Sequence, residues 1–130
     1  MTHGLQPSLL ADELVAVYDY PASHCALARI RDGKPPVAER FELYLGPLEL
    51  ANGYHELADA AEQGARFDRG RQVRRGRGDV EPPRDEHLLQ ALIAGFPACA
   101  GVAMGMDGLM MAMLGTGRIA DVLAFDFARA

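Results

Sequence analysis

Residues 41–56 read F-E-L-Y-L-G-P-L-E-L-A-N-G-Y-H-E, two runs of alternating apolar and polar side chains on either side of Gly46-Pro47. Alternation with period two sends successive side chains to opposite faces of a strand, and a Gly-Pro pair between two such runs turns the chain. The segment therefore reads as a β-hairpin in which Leu45 meets Leu48. In that register Leu43, Leu45, Leu48 and Leu50 share one face, while Glu42, Tyr44, Glu49 and Ala51 share the other. The leucine face is expected to be core. The other face carries two carboxylates as diagonal neighbours, roughly 7–8 Å apart between backbones. Such a pair is costly without a cation between the two groups and useful with one.

The rest of the chain bounds what this hairpin can serve. Its 130 residues have room for one domain with a real core, and a single α+β unit is expected. A formal charge of −5 argues against non-specific nucleic-acid binding as the main activity, because such binding is driven by Lys and Arg against phosphates. Cys25 and Cys99 are far apart in sequence and lack a C-x-x-C partner, so neither a disulfide framework nor a zinc site is indicated. The first residues do not form a signal peptide, and no apolar run approaches the length of a membrane span. A cytoplasmic protein that makes no use of a membrane is the expectation.

In chain order, residues 1–13 read as a leader and Leu14–Tyr20 as a first strand. The loop Arg31–Pro36 precedes the hairpin, with Asp-Gly and Pro-Pro as its turn signals. After Glu56 the period becomes helical, with Leu57, Ala60, Ala61, Ala65 and Phe67 as an apolar stripe that frays near Gly70. Residues 64–79 hold six arginines interrupted by glycines. A solvated helix end and mobile loop whose arginines answer nearby acids fits this stretch better than an RNA or phosphate patch, since aromatic interleaving is absent apart from Phe67. Asp85 caps a further helix whose Leu88, Leu89, Ala91, Leu92 and Ile93 face the core, and Gly95 with Pro97 ends it. Ala100–Met106 alternates small with large residues, so that Gly101, Ala103 and Gly105 leave one strand face bare for a flat ligand while Val102, Met104 and Met106 pack behind. Asp107 is expected to cap a helix with a buried stripe of Leu109, Met110, Met113 and Leu114, and Ile119–Phe127 to give a helical turn and a last strand.

Taken together, E-R-F-E-L-Y-L-G-P-L-E-L-A-N-G-Y-H-E-L-A-D with C-A-G-V-A-M-G-M-D and V-L-A-F resembles the C-terminal part of a class II lysyl-tRNA synthetase catalytic domain. The closer likeness is to the elongation factor P lysine ligase subfamily, whose members attach a lysine or β-lysine to a translation factor in place of tRNA. The resemblance covers residues 14–130. It implies a class II synthetase-like antiparallel sheet with flanking helices, present as its C-terminal portion, and an ATP- and Mg²⁺-dependent ligase that forms an aminoacyl adenylate without a protein nucleophile or base. By the same resemblance Glu42 and Glu49 hold Mg²⁺ against ATP phosphates, and Asn52 places the carboxylate and amino group of the substrate. Tyr54 lines the lysine pocket, and Glu56 receives the ε-ammonium. Gly101, Ala103 and Gly105 form the strand on which the adenylate lies, Ala103 narrowing the pocket near the substrate amino group. His55 is given no role.

The chain also departs from the family pattern. Gly105-Met106-Asp107-Gly108 replaces Gly-x-Asp-Arg, so Gly108 stands where the family has an arginine that grips ATP with its planar fork. Asp126 stands where Pro or a small residue is more usual. The family's first and second motifs, which carry the dimer contact and another ATP arginine, normally lie upstream of Leu14. The chain is thus expected to act as a homodimer or together with an N-terminal portion, on elongation factor P before tRNA. The alternative is a remnant that binds lysine or a partner and cannot form adenylate by itself.

Overall fold

The computed structural model describes residues 13–129. The expected leader falls almost entirely outside the described residues. Strands β1 (Leu14–Pro21), β3 (Val37–Leu45), β4 (Leu48–His55) and β5 (Ala100–Met104) form an antiparallel sheet in the order β1-β3-β4-β5, and the short β2 (Ile30–Arg31) pairs with β3. Helices α1 (Ala60–Arg77), α2 (Glu86–Gly95) and α3 (Met106–Leu114) flank it. The fold class is α+β, an antiparallel sheet with helices, as the sequence suggested.

The hairpin closes at the expected residues. Leu45 opposes Leu48, and Gly46 takes φ of 52° at the first turn position, which a side chain would resist. Two irregularities then decide which side chains share a face. In β4 the register slips by one after Tyr44↔Glu49, so Leu50 is an extra residue and Leu43 opposes Ala51. Ala51 thereby joins the leucine side and Asn52 and Tyr54 join the side of Glu42 and Glu49, where strict alternation would have separated them. In β1 the register slips between Tyr18 and Tyr20, with Asp19 at φ of 56°. Tyr20 turns to the Glu42 side as a result.

This side holds the buried cluster around Tyr20, which corrects the expectation that the leucine face alone is core. Tyr20, Ala28, Ala38 and Tyr44 are buried there with Glu42, while on the other side Leu50 and Ala51 are buried and Leu43, Leu45 and Leu48 only half-buried. The segment between β1 and β3 joins the open end of the hairpin as a strap, pairing with the start of β3 and with residues 55–57. Arg29 N–H donates to His55 O at 2.8 Å, Glu39 N–H to Arg29 O at 2.9 Å and Leu57 N–H to Leu27 O at 3.0 Å.

Helix α1 does not fray at Gly70. Asp59 caps it by accepting from Glu62 N–H at 2.9 Å, and it runs to Arg77, closed by Gly78 at φ of 74°. Three of its six arginines answer acids, Arg66 pairing with Glu62, and Arg75 and Arg71 with Glu81. Arg66 also donates to Ala26 O at 3.0 Å and Ala28 O at 2.7 Å, tying the helix to the strap. Asp85 caps α2, whose Leu89 and Leu92 are buried, but Ala91 and Ile93 are exposed.

The last third departs most from expectation. Gly105 rather than Asp107 stands at the cap position of α3, and none of the residues of α3 is buried. Val102, Met104 and Met106 are exposed instead of packed, as are Met110, Met113 and Leu114. Residues 122–127 form turns and not a strand. Alternation read these residues correctly as apolar, but apolar character alone does not supply a covering surface.

Candidate functional site

The antiparallel register lays the sequence-predicted residues out as a grid on the Glu42 side of the sheet. Arg40, Tyr54 and Gly101 are cross-strand neighbours; in the next row Val17, Glu42, Asn52 and Ala103 line up; Tyr44 opposes Glu49 beyond them. Glu56 follows at the end of β4. Its backbone is pinned on both sides, by the N–H bond to Cys99 O at 3.0 Å and by the bridge to Ala28.

An open cavity of about 370 Å³ is lined by Asn52, Tyr54, Glu56, Gly101, Val102 and Ala103. Gly101 leaves room for the Glu56 carboxylate: a Cβ there would stand 2.7 Å from Glu56 Oε1. No cation among the described residues is within ion-pair range of Glu56. Asn52 Oδ1 is buried without a hydrogen-bond partner. The Glu56 carboxylate, which no cation answers, thus lies by a floor of Gly101 and Ala103 that projects at most a methyl group, with the Asn52 amide beside it. A ligand bearing an ammonium group would answer Glu56, and Asn52 Oδ1, shut from solvent as placed, would reach such a ligand by turning its amide. Gly105 lies beyond this floor, at the start of α3, where its N–H donates to Leu50 O at 3.0 Å. His55 faces away, its Nδ1 2.7 Å from Glu39 Oε2.

Glu42 and Glu49 share the face but not the environment. Glu49 is exposed. Glu42 is 1% exposed, with Oε1 accepting from Arg40 and Oε2 accepting from Tyr44 and, at 2.6 Å, from Tyr20. Burial and the neighbouring Glu42 carboxylate push the Tyr44 hydroxyl up to about 12, and the same causes raise Tyr20 further. Among the described residues no group of three or more His, Cys, Asp or Glu could hold a metal ion. Mg²⁺ commonly takes only one or two carboxylates and completes its shell with water and substrate phosphates. Glu49 fits that mode, whereas Glu42, as placed, offers no free oxygen.

Sequence reasoning missed the partners of Glu42. Alternation places Tyr44 on the face of Glu42 but assigns no bond between them, and Arg40, two residues to the other side in the same strand, follows by the same period of two. Tyr20 carried no such signal, because the slip at Asp19 reverses its direction.

A family model described as tRNA synthetases class II (D, K and N) matches residues 6–129. The chain belongs to this family. It is 48% identical over 129 residues to a protein of Salmonella arizonae named elongation factor P-(R)-beta-lysine ligase, covering 99% of this chain and 40% of that protein. The protein of the same name from Salmonella gallinarum is 46% identical over 130 residues, covering 100% of this chain and 40% of its own length. The chain therefore spans about 40% of the length of the relatives it matches. The antiparallel sheet with flanking helices is consistent with part of a class II synthetase domain.

Proposed function

We propose that the chain supplies the amino-acid subsite of an ATP-dependent ligase that activates lysine or β-lysine for transfer to elongation factor P. The observation that carries this reading is the Glu56 carboxylate without a cation partner, with the Asn52 amide beside it, over the bare strand Gly101–Ala103. Glu56 would take the distal ammonium in a charge-assisted hydrogen bond, and Asn52 the amino group nearer the carboxylate. Tyr54 forms the wall between them. Ala103 adds one methyl to the floor opposite Asn52, narrowing the space beside the nearer amino group.

In the proposed reaction the substrate carboxylate attacks the α-phosphorus of ATP and pyrophosphate leaves; an amine on the acceptor then displaces AMP. The proposed reaction uses no protein nucleophile, so the contribution of this chain would be to bind, orient and shape charge. Glu49 would be the carboxylate presented to Mg²⁺, which when bound neutralises phosphate charge. Glu42 would join it only by exchanging its tyrosine bonds. Gly105, beside the start of β4, would let the nucleotide lie close to the backbone.

The names of the relatives favour elongation factor P over tRNA as acceptor. The edge strand β5 and the exposed apolar residues of β5 and α3 support a self-associated or partner-bound form. Gly108 favours a second reading, in which the chain binds a lysine-type ligand without forming adenylate, because glycine cannot grip phosphate. Calorimetry with lysine, β-lysine and Mg-ATP, together with ATP–pyrophosphate exchange, separates the two. Exchange by this chain with saturable lysine binding supports the ligase, and lysine binding without exchange supports the second reading. Absence of lysine binding sinks both.

A further inference from the structure

We propose that Arg40 is a positioning residue of the amine pocket, acting through the ring of Tyr54 and anchored by Glu42. The inference rests on the pocket reading above and gives Glu42 a task that needs no metal. Arg40 and Tyr54 are direct cross-strand partners, and the guanidinium carbon lies 5.9 Å from the Tyr54 ring centroid and 4.7 Å from that of Tyr20. The guanidinium is thus placed within reach of two rings, one buried in the core and one on the cavity wall. Its terminal nitrogens donate to Glu42 and, at 3.3 Å, to His24 O. Glu42 in turn is fixed by the two tyrosine hydroxyls.

A cation beside a pocket for an ammonium group would repel its ligand unless its charge were cancelled locally. Glu42 supplies that cancellation from inside the protein, at 1% exposure. Arg40 can then contribute its flat face to Tyr54 without contributing a bare charge. The planar fork is what makes this possible, since an ammonium would neither stack on two rings nor bond the carboxylate at a fixed angle.

The test is lysine or β-lysine titration of the whole chain in EDTA, without ATP, so that no metal role is read. Arg40→Lys keeps the charge and is expected to weaken binding about three- to tenfold, the range of a cation–π contact. Glu42→Gln should weaken it by a similar factor. In a Tyr54→Leu background Arg40→Lys should have no further effect, because its route to the ligand is gone; a merely structural role would add in both backgrounds. Unchanged metal-free affinity in Arg40→Lys and Glu42→Gln, or full additivity with Tyr54→Leu, overturns the proposal. If the unaltered chain binds neither amino acid, the pocket reading has failed, and the positioning claim is decided by nuclear magnetic resonance of the ligand-free protein. Tyr54 ring signals that move in Arg40→Lys support it; signals that stay in place refute it.

Discussion

Gly53→Ala reads out the sign of a single methyl group on the face of β4 opposite the site, between Asn52 and Tyr54. A glycine in a strand ordinarily costs stability, and replacing it with alanine at a compatible site gains about 0.4–1 kcal/mol from the unfolded chain. Here the added Cβ would stand 2.5 Å from Phe41 Cε1, 2.6 Å from Phe41 Cζ and 2.8 Å from Gly101 O. Real Cβ contacts are not that short, so either the ring or the β4–β5 pairing must move. Phe41 is the direct cross-strand partner of Gly53 and its ring covers the glycine. Overpacking of this kind costs about 1–3 kcal/mol, and the backbone contact puts the value near the upper end. A net loss of about 2 kcal/mol corresponds to a fall in Tm of roughly 5–10 °C for a domain of this size. Thermal and urea unfolding measure it. Phe41→Leu removes the ring atoms but not the Gly101 contact, so it should recover part of the loss and not all. A Tm for Gly53→Ala equal to or above that of the parent would refute the close approach.

Other predictions are more direct. Tyr44 and Tyr20 have hydroxyls held neutral by burial beside Glu42, Tyr44 up to about 12. In the unfolded chain tyrosine loses its proton near pH 10, so from there the unfolded state binds fewer protons and stability falls as pH rises toward 12, while below pH 10 this contribution is fully present. Absorbance titration near 295 nm should show tyrosines that ionise only as the fold is lost, and normal titration of all four would contradict the network. Gly108→Arg should fold normally, because a Cβ there meets nothing closer than 3.8 Å, and it should strengthen Mg-ATP binding; unaltered nucleotide affinity would count against the family-based role. Sedimentation should show self-association reduced by Met113→Lys, a side chain 77% exposed, and a monomeric parent would discard that expectation.

The hairpin was legible because period-two alternation and a Gly-Pro turn are local, and Leu45 does oppose Leu48. Face composition was not, since two one-residue slips, at Leu50 and Asp19, are invisible to alternation and each reverses every side chain beyond it. The family resemblance had put Glu42, Glu49, Asn52, Tyr54 and Glu56 in one site even though strict alternation divided them, and the slip at Leu50 is the physical reconciliation. Helix α1 outlasted its glycines because Asp59 caps it, Gly78 closes it and Arg66 ties it to the strap. The buried stripe of α3 failed for a different reason: apolar periodicity says which face would be covered, not that anything described covers it. Among the described residues no helix is long and apolar enough to cross a membrane.

Calorimetric titration of the parent chain and of Glu56→Gln with lysine and β-lysine tests the central claim most directly. A charge-assisted hydrogen bond to an ammonium is worth about 1.5–3 kcal/mol, so removing the carboxylate charge while keeping its shape should weaken binding by roughly 10- to 150-fold. Circular dichroism should show the fold unchanged, since Glu56 is tied into the sheet through its backbone. Equal affinity of the two proteins for the amino acid would contradict the account.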